Sequence, residues 1–472
     1  MTRFEVSSIK LETMTNNAKP GSHVPREEFE KQTKSTQLSS LEVTCDDRAL
    51  FWPEGLTPLP HQLEAVEWAS SRKRSYLALD PGLGKTIVAA LLANKTKAHV
   101  FYVCPPFLTQ NTNAEFDKWT FEKKLFLLPD SMLTKEDTLK KLRLELACLK
   151  GKKKILVIDE AHRFKNGQAQ RSDVLFYKIL PLFKEDQVVF MSGTPMPNSR
   201  PMELWPVIQH AAYEVFGMNR FSYGLKYCGG YKDAFGWKFD GFTNKQEFKA
   251  RIFRSFMLRQ KKELLKLPPK MEGLLTVGDG IPPVVSKVEK KVLEHYSPED
   301  LVEGRIKKLH GVEGDLHVAT YLRLLGEYKL KYSLPYIESL LEETHENLLL
   351  FAVHKNTVSC LEKALKKFKP LVITGDVSKD KRQDLVNEFQ SSKERRVFIG
   401  NIQACGVGFT LTKATRVLFV EFSWVDGDNQ QASDRAHRIG QNQSVLVQYV
   451  VLKDSFDRTR MEVLLKKRGN AI

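Results

Sequence analysis

The chain has 472 residues, 42% hydrophobic and 28% charged, with no run of 18 apolar residues; this is the composition of a globular chain and excludes a helical membrane span. Lys plus Arg exceed Asp plus Glu by 73 to 57, and the net charge of +16 suits a polyanionic partner as well as it suits solubility. Six cysteines (Cys45, Cys104, Cys148, Cys228, Cys360 and Cys405) form no CxxC pair and no zinc spacing, and the N-terminus lacks the apolar core of a signal peptide. They read as reduced thiols of an intracellular protein.

Residues 1–47 are polar and aperiodic and predict a disordered tail. Short apolar runs follow, each ending in a small or polar cluster. The run 76–79 leads into Asp80, Pro81, Gly82, Leu83, Gly84, Lys85 and Thr86, and 100–104 into Pro105 and Pro106. The run 155–158 leads into Asp159, Glu160, Ala161 and His162, and 188–191 into Ser192, Gly193, Thr194 and Pro195. Apolar runs without alternation are what parallel strands covered on both faces require. Helical stretches at 62–70 and 85–93 complete an α/β pattern, in which ligands bind beyond the carboxyl ends of the strands. A second set of runs lies at 348–353, 371–373, 397–399, 417–420 and 445–452, and 204–345 is richer in helical periodicity. Two α/β lobes joined by a helical insertion fit this order; the alternative is one unusually wide sheet.

Three segments carry chemistry. Gly82 to Thr86 follows a strand and opens a helix, where glycine backbone and a helix N-terminus suit phosphate oxygens. Lys85 then reaches the β- and γ-phosphates and Thr86 offers its hydroxyl to Mg²⁺. The plain alternative is a tight strand–helix turn with an incidental lysine. Adjacent carboxylates at Asp159 and Glu160 repel if buried, and a divalent cation removes that cost. Asp159 would then hold Mg²⁺ while Glu160 polarises an attacking water, unless the pair is simply a solvated acidic loop. In 431–441 a helix would place Gln431, Asp434, Arg435 and Arg438 on one face, with Ala432, Ala436 and Ile439 on another and Gly440 as the stop. Such arginines suit charge developing on a phosphoryl group, or else a salt-bridged surface helix.

Taken in order, these motifs resemble those of the Swi/Snf-type ATPases of helicase superfamily two, over nearly all of the chain beyond the tail. His61 and Gln62 are similar to the adenine-reading glutamine motif, and Asp80 to Thr86 resembles the family's phosphate loop. Asp159 to His162 resembles the DEAH box, and Ser192 to Pro195 the SGTP motif, continued by Pro197, Asn198, Glu203, Leu204 and Trp205. Leu258 and Arg259 followed by Leu267, Pro268, Pro269 and Lys270 resemble the inter-lobe signature, 406–412 the fifth motif, and 431–441 the sixth. The stretches Tyr227 to Phe242 and Glu421 to Gly427 are similar to the annealing-helicase branch, which remodels forked or bubbled DNA. Two departures stand out: Leu79 where relatives usually carry an acid, and Thr112 after Asn111 where they carry tryptophan.

The resemblance implies two RecA-like lobes, 48–270 with a helical insertion and 271–472. It implies ATP and Mg²⁺ between them, with His61, Gln62, Asp80 to Thr86 and Gln431 at the nucleotide. Lys85, Glu160, Arg435 and Arg438 would be catalytic, Thr86 and Asp159 would serve the metal, and His162, Ser192, Thr194, Gly406 and Gly408 would couple the lobes. The implied activity is ATP-driven tracking on duplex DNA by a monomer that remodels or anneals forks, with strand separation as the alternative and nucleosome remodelling or passive DNA scaffolding less favoured. No added substrate-recognition domain is visible, which suits a viral, phage or prokaryotic member, acting in a prokaryotic or infected cytoplasm or in a nucleus.

Overall fold

The computed structural model describes residues 6–7, 51–234, 236–295, 313–405 and 409–468. Its strands are β1 (Val6–Ser7), β2 (Arg74–Leu79), β3 (His99–Cys104), β4 (Leu125–Pro129), β5 (Lys154–Ile158), β6 (Gln187–Met191), β7 (Tyr231–Asp233), β8 (Gly236–Lys238), β9 (Met257–Gln260), β10 (Lys270–Val277), β11 (Leu348–Ala352), β12 (Leu371–Ile373), β13 (Val397–Asn401), β14 (Arg416–Phe419) and β15 (Val445–Leu452).

The first sheet has the order β4-β3-β5-β6-β2-β9 and is parallel throughout. Alternate residues of one strand enter different cores. Tyr76 and Ala78 pack on one face with Phe101, Val103 and Leu156, and Leu77 and Leu79 on the other with Val100, Tyr102 and Val157. That two-sided burial is why the runs are continuously apolar. The second sheet, β1-β10-β15-β14-β11-β13-β12, obeys the same rule, with Leu349 and Phe351 on one face and Leu348, Leu350 and Ala352 on the other. Two parallel-sheet lobes with helices on both faces are therefore the architecture.

The structure adds detail to the sequence expectations at three places. The stretch 204–345 is not only helical: it contains the antiparallel hairpin β7–β8, then β9 in the first sheet and β10 in the second. β9 escapes a hydropathy reading because its sequence includes Arg259 and Gln260, whose side chains bond to Ala78 O and His61 O. Two residues of the polar tail, Val6 and Ser7, pair antiparallel with β10; the rest of 1–47 lies outside the described residues, as do Gly406 and Gly408. Finally, the helix expected over 431–441 spans Asp426–Ser433 and stops there. Arg435 O accepts from Leu411 N at 2.9 Å, so this backbone is diverted from the helical ladder into a tertiary contact.

Candidate active site between the lobes

Strands β2, β6 and β5 are neighbours, so the loops after their carboxyl ends converge. After β2 the chain turns through Gly82 (φ 95°) and Gly84 (φ 79°), and the helix Lys85–Thr96 begins. Gly84 is in the left-handed region, which strains any side chain, and a Cβ there would lie 2.4 Å from Gln62 Nε2 and displace that amide. Gln62 earns this closeness: its amide donates to Leu83 O (3.2 Å) and its carbonyl accepts from Leu59 N (2.9 Å). His61 Nε2 lies 3.0 Å from the same Leu83 O, so both residues hold the loop by its backbone. Lys85 Nζ donates to Leu79 O at 3.2 Å. Leu79 is buried, and its carbonyl anchors the lysine.

After β5, Asp159 and Glu160 are both buried, at 3% and 8% exposure. Burial, and then the adjacent Glu160, push the Asp159 carboxyl up to about 7, against the pull of Lys85. Tyr102, itself pushed up by burial, keeps its proton and donates it to Asp159 Oδ2 at 3.0 Å. Glu160 sits at φ 49°, a conformation that costs a non-glycine residue about 1 kcal/mol or more. His162 Nδ1 lies 3.3 Å from Glu160 Oε2 and 2.8 Å from Ser192 Oγ, and burial lowers its pKa towards the neutral imidazole. Ser192 Oγ in turn accepts from Thr194 N at 3.0 Å, and Thr194 lines an adjoining inter-lobe crevice with Asp80, Trp424, Asp426 and Gln430. The DEAH and SGTP segments are thus one hydrogen-bonded chain.

The second lobe reaches across. Gln431 Nε2 donates to Glu160 Oε1 at 3.3 Å. Arg438 Nη1 donates to Phe409 O (2.8 Å) and Thr410 Oγ1 (3.2 Å), and Arg435 Nη1 donates to Phe409 O (3.3 Å). The Arg438 Cβ lies 3.2 Å from where a Cβ on Gly82 would be. One cleft is therefore lined by Pro81, Gly82, Gly84, Lys85 and Thr86, by Asp159 and Glu160, and by Gln431, Arg435 and Arg438. A lysine early in the chain and two arginines near its end face the same space.

Two family models match the chain in succession, an SNF2-related domain over residues 61–292 and a helicase conserved C-terminal domain over 331–440. The chain belongs to the Swi/Snf-type ATPases of helicase superfamily two. It is 31% identical to the SWI/SNF-related matrix-associated actin-dependent regulator of chromatin subfamily A-like protein 1 of Xenopus laevis, over 91% of this chain and 45% of that protein. It is 29% identical to the DNA annealing helicase and endonuclease ZRANB3 of Bos taurus, over 93% of this chain and 42% of that one. The chain thus spans less than half the length of these relatives. Among solved structures, the Sulfolobus solfataricus SWI2/SNF2 ATPase core in complex with dsDNA matches 88% of this chain and 92% of its own, with 21% identity and a TM-score of 0.38.

Within this Swi/Snf-type cleft the structure separates holding residues from facing ones. Asp80 turns to the inter-lobe segment, with its Oδ1 2.6 Å from Arg259 Nη2 and its Oδ2 accepting from Lys262 N. Asp434 does not share the arginines' direction: it pairs with Lys262 (2.7 Å) and Lys270 (3.2 Å). Burial opposes its charge, but the two lysines outweigh that and hold its pKa below the usual carboxylate range. Tyr102 and Lys262 are thus site residues that the motifs do not assign, while Arg259 of the inter-lobe signature is the partner of Asp80. Tyr102 had a signal only in register, since Val103 pairs with Ile158 one residue before Asp159. The donor set fits ATP with Mg²⁺: oxygen ligands from Thr86 and Asp159 suit a hard cation that takes its other ligands from phosphates and water. Among the described residues no cluster of three or more His, Cys, Asp or Glu offers an all-protein cage. Among them, too, no helix is long and apolar enough to cross a membrane.

Proposed function

We propose that this chain is an ATP-dependent DNA translocase that tracks along duplex DNA and remodels or anneals forked or bubbled DNA. The observation that carries this reading is the single cleft shared by Lys85 and Glu160 of the first lobe and Gln431, Arg435 and Arg438 of the second. The backbone N–H groups of the glycine loop and the Lys85 ammonium bind the phosphates, for which Lys85 leaves the Leu79 carbonyl. Thr86 and Asp159 would hold Mg²⁺, which would neutralise phosphate charge. Glu160, oriented by His162 and Gln431, accepts the proton of the attacking water.

Arg435 and Arg438 exchange the Phe409 carbonyl for the charge spreading over the transferring phosphoryl group. Because the two halves of this machinery sit on different sheets, hydrolysis requires closed lobes and product release opens them. The net charge of +16 and the relatives' names favour DNA as the track, bound through phosphates and hence sensitive to salt and indifferent to sequence. The chain acts as a monomer in this scheme, since both halves of the cleft come from one polypeptide.

The test is ATP turnover with single-stranded, duplex and forked DNA, with strand annealing and displacement scored in parallel. Stimulation by duplex or fork with annealing and no displacement is the expected outcome. Displacement of a labelled strand would make the chain an unwinding helicase instead, and stimulation by RNA alone would overturn the reading.

A further inference from the structure

The hairpin β7–β8 presents an aromatic surface that the ATP cleft does not use. Trp237 is 45% exposed, with the ring of Phe221 (44%) beside it. Large aromatic side chains so open to water are uncommon on a chain that buries most of its others. The rings are ordered with respect to one another. Trp237 stacks on Phe239 with 7° between planes and centroids 6.3 Å apart, and Phe221 meets both edge-on at 5.0 and 5.8 Å.

Phe239 also sits close against glycine backbone. A Cβ on Gly224 would lie 2.4 Å from its ring and one on Gly230 2.8 Å, so both positions are restricted to glycine by the ring. The helix beneath, Arg220–Tyr227, is fixed by Tyr223, whose hydroxyl donates to Pro201 O at 2.9 Å and whose ring packs on Trp205 at 4.9 Å. That anchorage is the segment directly following the SGTP motif. Charge completes the pattern: residues 220–245 contain five Lys or Arg and two Asp, of which Lys226 is paired with Glu247 and Lys238 with Asp233. Arg220 lies over Phe239 at 5.8 Å, and Lys232 is exposed beside Trp237's strand.

We propose that this hairpin is a stacking platform for the bases of an unpaired DNA strand, with Trp237 as the ring that receives a base and the surrounding cations holding the adjacent phosphates. A rigid, flat, half-exposed ring set among positive charges is the arrangement that binds single strands without sequence preference. The proposal rests on the reading of the chain as a DNA motor and adds what it recognises there, the single-stranded part of a fork or bubble. The platform's mounting on the segment after Ser192–Pro195 ties strand capture to the lobe that holds ATP.

The test uses the full chain and fluorescein-labelled oligo(dT), a fork with two oligo(dT) arms, and the same duplex without arms, each followed by anisotropy. Trp237→Ala should lower affinity for oligo(dT) and the armed fork about tenfold or more, with the blunt duplex unaffected. Trp237→Phe should retain most of the affinity, and Phe121→Ala, an exposed ring elsewhere on the first lobe, should behave as wild type. Wild-type affinity in Trp237→Ala, or no oligo(dT) binding by the wild type, overturns the platform and leaves the patch as a protein-docking surface. A wild-type chain whose ATP turnover no DNA stimulates overturns the motor reading instead, whatever the Trp237 variants do to oligo(dT) binding.

Discussion

Two buried groups of charge, one in each lobe, follow opposite rules. In the second lobe Lys329 and Asp457, almost fully buried, pair at 2.7 Å, and Arg460 lies 3.4 Å from the other Asp457 oxygen while covering Trp424 at 3.9 Å. Beside them Glu421 accepts from Val353 N, His354 N, His354 Nδ1 and Thr357 Oγ1. Two cations meet two carboxylates, and four further donors bond to the Glu421 oxygens. In the first lobe Asp159 and Glu160 are equally buried but adjacent, and the nearby lysine spends its hydrogen bond on a carbonyl. The first arrangement fixes the long helix Glu313–Glu343, the last helix Phe456–Arg468 and the 421–427 turn in one geometry. The second sets two carboxylates side by side while Lys85, Arg435 and Arg438, which line the same cleft, turn to carbonyl oxygens, which is the mark of a binding site rather than a brace.

The largest effect should come from the arginine that closes the cleft. Arg438→Ala removes a guanidinium aimed at developing phosphoryl charge, and the expected loss is on the order of 10³ or more in single-turnover hydrolysis. Affinity for a fluorescent ATP analogue should stay within a few-fold of wild type, because the glycine loop and Lys85 are untouched. Loss of binding with normal chemistry in the saturated complex would contradict the assigned role.

The contrast in charge balance predicts opposite signs for neutralising one carboxylate in each group. Asp457→Asn leaves Lys329 buried beside a neutral partner and should cost about 3–5 kcal/mol of stability. Glu160→Gln relieves repulsion with Asp159 and should leave the nucleotide-free melting temperature unchanged or raised, while abolishing DNA-stimulated turnover. Urea or thermal unfolding of the two variants without nucleotide measures both. Equal destabilisation by the two substitutions would dissolve the distinction.

How far the sequence reveals these features follows from what each depends on. β12 and β15 coincide with their apolar runs because both faces are covered and nothing else competes for those residues. β4, β9 and β10 were not legible, since they are partly exposed or contain Arg259, Gln260, Lys270 and Glu272. At the cleft, Lys85, Glu160 and the two arginines were legible as chemistry, because phosphate loops and paired carboxylates constrain residue type at short spacing. The end of the 426–433 helix and the turning of Asp434 to Lys262 and Lys270 were not. Both are decided by partners 24 or more residues away, through Leu411 and the inter-lobe strand. The aromatic-glycine stretch was visible as a pattern, but only the packing of Phe239 against Gly224 and Gly230 gives a reason for it.

The smallest effect concerns the rim of the balanced group, where His354 meets Glu421 at 2.9 Å. The hydrogen bond to Glu421 raises the His354 pKa above its usual value despite burial, with Arg460 opposing from the far side. Burial works to raise the Glu421 carboxyl, but the His354 side chain and backbone N–H, helped by Lys329, outweigh it and the pKa falls. A raised histidine stabilises the fold fully below its unfolded pKa of about 6.5, and that contribution is lost as pH rises through the higher folded value. A lowered carboxylate stabilises above its unfolded pKa of about 4.3, with loss as pH falls through the lower folded value. The pair therefore contributes most between roughly pH 4.5 and 6.5. Stability measured by urea unfolding should fall modestly from pH 6 to pH 8 in the wild type, and His354→Gln should flatten that limb while leaving the acid limb of Glu421 in place. An identical slope in the variant would mean that the half-exposed imidazole is solvated rather than paired.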